Sequence, residues 1–361
     1  MKWKILVSPS KYMQGPGILK ECGPHIAHLG THPFIIGGNT AYSLVADTLQ
    51  QALEEEMCTV AGVLSDVRKC TSMIIGRGRQ KVTQSRGDLI LGVGGGSAVD
   101  TAKAVAYYLD LPVVTIPTVA STNADISAVS VIYDEQGKFT ERIRLPENPR
   151  LAIVDTEILA SAPPRFLASG MGDALSCRFE VEACRASGAH NHVGGSAPHI
   201  VEAVCTLCYD TLIEYGYQAL SDVTNHCITP AFESVVEAIK LQSAIGFENG
   251  GNAAAHAIHN GFTRASPVQG SHGEIIAFCI IAQLFLEKKS PTFIETIARW
   301  CKDLALPVTL SQLSLEETYI TAVSKESCAT GSSIHNEPFP VSPDMVAEAI
   351  LSASELGESL L

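Results

Sequence analysis

The chain has 361 residues, 46% hydrophobic but only 6% aromatic, enough apolar material for two domains with aliphatic cores. Its formal net charge of −13 argues against nucleic acid or an anionic membrane as the main partner. No run approaches the ~18 apolar residues that span a bilayer, Ile5-Leu6-Val7 is too short for a signal peptide, and a soluble, cytoplasmic protein is expected. Eleven scattered cysteines suit reduced core thiols, and Cys205 and Cys208, a lone C-x-x-C in a helical segment, read as two buried cysteines.

In chain order, a strand at Phe34-Ile35-Ile36 is followed by a helix over Ala41 to Glu55, a strand at Val60 to Leu64 and a charged helix around Gly78 to Val82. Leu89-Ile90-Leu91 is the next strand, then a helix from Ala98 to Tyr108 and a strand at Val113 to Ile116 ended by Pro117. Val129 to Tyr133 and Phe139 to Leu145 flank the turn Asp134-Glu135-Gln136-Gly137 as an antiparallel hairpin, and Leu151 to Asp155 is a last strand. Beyond Ala162-Pro163-Pro164 helical periodicity dominates, with breaks at Gly188 to Gly195, Thr229-Pro230, Ser266-Pro267 and Leu306-Pro307. The pattern predicts an α/β domain over 1–161 with a mostly parallel sheet, and an all-α domain over 162–361.

The segment DLILGVGGGSAVDTAK, Asp88 to Lys103, reads as buried strand, glycine turn and helix start. Glycines there let backbone approach a ligand, and the free N–H groups of the following helix suit a phosphate. The strict G-x-G-x-x-G pattern is not met, because Ser97 stands where the third glycine would fall. A plain glycine-rich packing turn is the other reading.

In the helical half, Asp173 follows Gly170-Met171-Gly172 at an expected helix start, where an N-cap is the simple explanation. His256 and His259 stand at i and i+3 on an alanine-rich helix, and His272 follows the loop broken by Pro267 and Gly270. One carboxylate and two imidazoles suit Zn²⁺ or Fe²⁺ with a position left open for substrate oxygen. The spacing matches no short zinc motif, and separate capping and core histidines remain the alternative.

These residues stand in longer stretches: SPSKYMQGPG, GVGGGSAVDTAKAVA, IPTVASTNADISAVSVIYDEQGKF, LPENPRLAIVDTEILASAPPRFLASGMGDAL, GFENGGNAAAHAIHNGFT, HGEIIAF and IHNEPFPV. Together they resemble the iron-containing alcohol dehydrogenase superfamily, most closely its glycerol dehydrogenase branch, nearly end to end. The resemblance implies a Rossmann-like α/β dinucleotide-binding domain and an all-α domain, the fold also found in dehydroquinate synthase, with the active site in the cleft between them. It implies a divalent metal, usually zinc and alternatively Fe²⁺, on Asp173, His256 and His272. His259 then falls outside the ligand set, as a neighbour of the site or as packing. Gly94, Gly95, Gly96 and Ser97 would hold the pyrophosphate of NAD or NADP, with Asp100 nearby. Thr118 and Ser121 would flank the adenosine and phosphates, and Ser127, Val129 and Tyr133 the nicotinamide. The implied reaction is hydride transfer between a metal-bound hydroxyl of a small polyol, vicinal diol or hydroxy-carbonyl compound and nicotinamide C4. Assembly into a homo-oligomer is also implied.

Three departures from that branch bear on function. Asn123 replaces an aspartate beside the substrate hydroxyls, and an amide cannot act as a base; Asp125, two residues on, offers a displaced carboxylate. Gly38, with Asn39, replaces the acid that usually binds the adenine ribose, which removes the repulsion of a 2′-phosphate and leaves NAD and NADP both open. The loop Arg264 to Ser271, with Ile275 after it and Asn252 upstream, should give a different substrate mouth; His272 lies 16 residues beyond His256. Rival readings are a same-fold cyclase, a sugar-phosphate reductase, for which Arg264 is the only nearby cation, and an idle nucleotide- and metal-binding relative.

Overall fold

The structure, a computed structural model, describes residues 3–361. It contains two compact units: Val7–Pro163 with Asp222–Leu241, and Pro164–Ser221 with Gln242–Leu361 and the segment ending at Leu6.

The first unit is built on β1 (Tyr12–Gly15), α1 (Gly23–Ala27), β2 (Pro33–Gly37), α2 (Asn39–Glu55), β3 (Gly62–Leu64), α3 (Ser72–Ser85), β4 (Leu89–Gly94), α4 (Gly96–Leu109) and β5 (Val113–Pro117). The hairpin β6 (Val129–Tyr133) and β7 (Phe139–Arg144), then β8 (Leu151–Asp155) and α5 (Thr156–Ala160), complete it. Six strands form one parallel sheet in the order β1-β8-β5-β4-β2-β3, while β6 and β7 pair antiparallel. Side chains alternate across the sheet. Ile35, Leu89, Leu91 and Val93 pack under α2 with Val45, Leu49 and Leu53, whereas Phe34, Ile36 and Ile90 pack under α3 and α4. Both faces are covered, which is why the strands read as continuous apolar runs. The expected α/β alternation is present. Edge strand β1 was not anticipated, because its four residues, YMQG, carry no apolar run.

The second unit is helical: α6 (Pro164–Ser187), α7 (His199–Thr224), α8 (Pro230–Glu237), α9 (Ser243–Gly250), α10 (Ala254–Ala265), α11 (His272–Leu286), α12 (Pro291–Asp303), α13 (Ile320–Ser327) and α14 (Pro343–Leu360), of which α8 and the end of α7 group with the first unit. Helix α11 is buried from Ile275 to Leu284 and packs against α6, α10, α12 and α14. A helix apolar on every face belongs at the centre.

The expected single boundary at 161/162 differs from this grouping, which cuts after Pro163 and assigns Asp222–Leu241 to the α/β unit. Side chains explain it: Glu233 of α8 accepts from Gln14 at 2.7 Å and from Thr156 at 2.5 Å. Among the described residues no helix is long and apolar enough to cross a membrane. No disulfide forms among the cysteines. Cys205 and Cys208 lie buried on α7, and the Cys177 thiol together with burial holds the Cys205 thiol well above its usual range.

Candidate active site

The glycine turn lies where its sequence placed it, at the carboxyl end of β4, the side of an open α/β sheet on which ligands bind. Gly94 has φ of 136°, a backbone that other residues rarely adopt. Gly95 is the N-cap of α4 and Gly96 and Ser97 its first turn; no side chain caps this end and no acid lies in it. The backbone therefore presents unfilled N–H groups. Buried Thr118 follows β5 and donates its N–H to Gly94 O at 3.3 Å, placing the β5 loop beside the turn. On the other side, Gly38 ends β2 as the N-cap of α2.

Asp100 does not sit as a phosphate neighbour. Its carboxylate is buried, pairs with Lys103 Nζ at 3.0 Å and accepts the Val131 N–H at 3.2 Å, so it ties α4 to β6. Lys103, unremarked in the sequence, is fully buried. Its ammonium donates to Ala124 O at 2.6 Å, to Ser127 O at 3.1 Å and to Val129 O. One lysine thereby shapes the segment that carries Ser127 and Val129, both buried, and leads to half-buried Tyr133. Burial and the nearby Asp100 raise the Tyr133 phenol.

A second lysine holds the front of the same loop. Lys240, in a π-helical turn Ala238–Gln242, donates to Thr122 O and to Asp125 Oδ1, each at 2.8 Å. Asp125 is 2% exposed and locked in this ion pair. This pair engages Oδ1, while Oδ2 has no hydrogen-bond partner among the described residues. Between these anchors Ser121 and Asn123 are half-buried, and Asn123 O accepts the N–H groups of Ile126 and Ser127 at 3.0 and 3.3 Å.

Within the helical unit, Asp173, His256 and His272 come together, each offering a ligand atom within 4.8 Å of the others. Asp173 is not an N-cap: it lies well inside α6. Gly172, just before it, permits close packing. A Cβ on Gly172 would lie 2.6 Å from Gly273 O, and one on Gly273 would lie 1.8 Å from Ser169 O. The bare backbones let the start of α11 seat against α6, and His272 Nε2 reaches 3.3 Å from Asp173 Oδ1. Ser271 and Glu274 form a capping box that fixes this helix start.

The histidines are oriented from behind. Glu180 Oε2 lies 2.6 Å from His256 Nδ1, and His259 Nε2 lies 2.9 Å from His272 Nδ1. Both Nδ1 atoms are thus engaged, and a shared cation would be met by the two Nε2 atoms. His259 thus stands beside a candidate ligand and contacts its ring. Glu180 was missed, although it stands seven residues after Asp173, two helical turns along the same face.

The start of α10 is itself held by two acids and an amide. Glu180 Oε1 accepts from Ala253 N and His256 N at 2.8 and 3.0 Å, Glu337 from Ala254 N at 3.0 Å, and Gln283 from Ala255 N at 2.9 Å. Burial, with Glu287 nearby, pushes the Glu337 carboxyl up to about 8. Asn252 is buried and its carbonyl accepts from Asn336 at 2.7 Å, so it belongs to this scaffold and not to a substrate mouth. Arg264 pairs with Glu326 at 2.9 Å.

A family model described as iron-containing alcohol dehydrogenase matches residues 9–156. A glycerol dehydrogenase from Escherichia coli is 39% identical over 366 residues, covering 99% of this chain and 98% of that protein. A glycolaldehyde reductase from Halobacterium salinarum is 36% identical, with 98% of both chains covered. The crystal structure of glycerol dehydrogenase from Schizosaccharomyces pombe superposes with a TM-score of 0.93 at 32% identity, covering 99% of this chain and 92% of that one.

Proposed function

The chain belongs to the iron-containing alcohol dehydrogenase family, and on that premise we propose that it is a metal-dependent, nicotinamide-linked oxidoreductase of small polyols, vicinal diols or the matching hydroxy-carbonyl compounds. The observation that carries the reading is the cluster of Asp173, His256 and His272 with both Nδ1 atoms already engaged.

That donor set, one carboxylate and two imidazoles, fits Zn²⁺ first and Fe²⁺ second. Asp173, His256 and His272 would hold the cation, and Glu180 and His259 would keep the two rings in the ligating tautomer. Such a cation supplies Lewis-acid polarisation of a hydroxyl to be oxidised, and the nicotinamide supplies the hydride acceptor. Gly94 to Ser97 would receive the pyrophosphate. Lys103 and Lys240 would keep the loop that carries Ser121, Asn123, Ser127 and Val129 in one shape, which is positioning and not proton transfer. Asn123 contributes amide hydrogen bonding to a substrate hydroxyl, and with Asp125 locked to Lys240 this loop offers no carboxylate base.

A phosphorylated substrate is the weaker reading, because Arg264 is already paired with Glu326. The nine buried cysteines, none in a disulfide, suit a reducing cytoplasm. The test is a turnover panel of diols, α-hydroxy ketones and aldehydes with both nicotinamide cofactors and Zn²⁺, Fe²⁺ or Mn²⁺. Reduction of cofactor by at least one diol is expected. No turnover with any of them, with metal demonstrably bound, would refute the proposal and favour an idle binding relative.

A further inference from the structure

We infer that the adenosine end of the dinucleotide site is built for a 2′-phosphate, so that this chain binds NADP(H) in preference to NAD(H); the inference rests on the dinucleotide reading above. In glycine-loop dinucleotide folds, an acid at the end of the strand beside the loop strand binds the ribose 2′-hydroxyl and repels a phosphate there. Here the loop follows β4, its neighbour on that side is β2, and β2 ends at Gly37 with Gly38 next, the N-cap of α2. The two termini are adjacent: a Cβ on Gly94 would lie 3.9 Å from Gly38 N. The first turn of α2 carries no acid either.

Glycine is not demanded by the backbone at this point. Gly38 has φ −87° and ψ 152°, ordinary extended geometry. A Cβ there would meet only Val67 O, at 3.3 Å, which needs a slight shift. Backbone geometry therefore does not require glycine here, and a Cβ needs only a small shift of Val67 O.

The positive charge a 2′-phosphate needs stands at the same edge. Val67 donates its N–H to Gly37 O at 3.0 Å, so the next residue, exposed Arg68, leaves the chain beside Gly38. The nearest acid in that segment, Asp66, is paired with Arg77, whose guanidinium holds its carboxyl below the usual range. Among the described residues Arg68 has no carboxylate partner, whereas the Lys69 ammonium lies against Gly137 in the β6–β7 turn. In a chain of net charge −13, an exposed arginine with no carboxylate partner, next to an acid already neutralised by Arg77, stands out. An arginine fork matches a phosphate dianion and gains little from a ribose diol.

Direct binding measures this without turnover. Dissociation constants of NADPH and NADH would be read by nucleotide fluorescence on the full-length protein and on Arg68→Ala and Gly38→Asp. NADPH should bind at least about tenfold tighter than NADH. Arg68→Ala, at an exposed position, should remove about that factor for NADPH and leave NADH unchanged, and Gly38→Asp should reverse the order. Equal affinities, tighter NADH, or an Arg68→Ala loss shared by both nucleotides would overturn the inference. Binding of neither nucleotide would instead refute the dinucleotide reading beneath it.

Discussion

Replacing Glu180 by Gln separates a metal centre from three residues that happen to meet. Glu180 has two tasks: Oε2 receives the His256 Nδ1 proton at 2.6 Å, and Oε1 receives the N–H groups of Ala253 and His256 at 2.8 and 3.0 Å. Glutamine can keep only one. If its oxygen stays on the backbone, its NH₂ faces Nδ1 and drives the ring proton to Nε2, where it blocks ligation. If the amide turns over, two helix N–H groups face a donor. Loss of such an orienting carboxylate costs about 10–100-fold in metal affinity, about 1.4–2.8 kcal/mol. Zinc affinity would be read by competition with a chromophoric chelator, and the metal-free thermal midpoint would be followed in parallel. Zinc affinity within twofold of the parent, with a lowered metal-free midpoint, would show that Glu180 only caps α10 and would refute the ligand-orienting argument.

Other consequences follow from the same contacts. His256→Ala should abolish bound metal and turnover together, and one metal per chain retained would break the ligand assignment. Glu337→Gln tests linkage: with its carboxyl moved from 4.5 to about 8, the folded state holds a proton the unfolded chain lacks between those values, so stability falls as pH rises through that window. The variant should match the parent in unfolding free energy near pH 5 and exceed it near pH 8.5 by up to a few kcal/mol; a pH-independent difference would count against it. Lys240→Met should destabilise by about 3–5 kcal/mol by leaving buried Asp125 unpaired, and Asp125→Asn in that background should recover much of it. Additive losses in the double-mutant cycle would show that the pair does not couple.

What could be read in the sequence follows from the range of each interaction. Strand β4, its glycine turn and α4 are one continuous segment, and so is the hairpin β6–β7, so local periodicity and turn chemistry sufficed. The resemblance carried Asp173, His256 and His272, but Gly170-Met171-Gly172 misled the local reading. It looks like a helix breaker, whereas Gly172 is inside α6 because Gly273 O presses on it. Glu180 was legible by helical spacing. Lys240 was not, since its partner Asp125 lies 115 residues away and a lysine in an apolar helix ordinarily reads as surface. Glu337 was hidden for the same reason, meeting Ala254 across 83 residues.

The placement of cations then bears on what the protein recognises. Lys103 is engaged by Asp100 and three carbonyls, Lys240 by Asp125 and Thr122 O, and Arg264 by Glu326. A buried cation held this way fixes backbone and has no spare charge for an anionic substrate. Asn123, where an acid is usual in the branch it resembles, removes a negative charge from the reacting end without adding a positive one. Arg68 is placed differently, exposed, without a carboxylate partner among the described residues, and next to Val67, whose carbonyl faces Gly38. If a phosphate is recognised by charge, it is therefore recognised at the cofactor's ribose and not on the substrate. Neutral polyols and hydroxy-carbonyl compounds then fit the same charge distribution that would select NADP(H). Addition of salt should weaken NADPH binding far more than it raises the KM of a neutral diol.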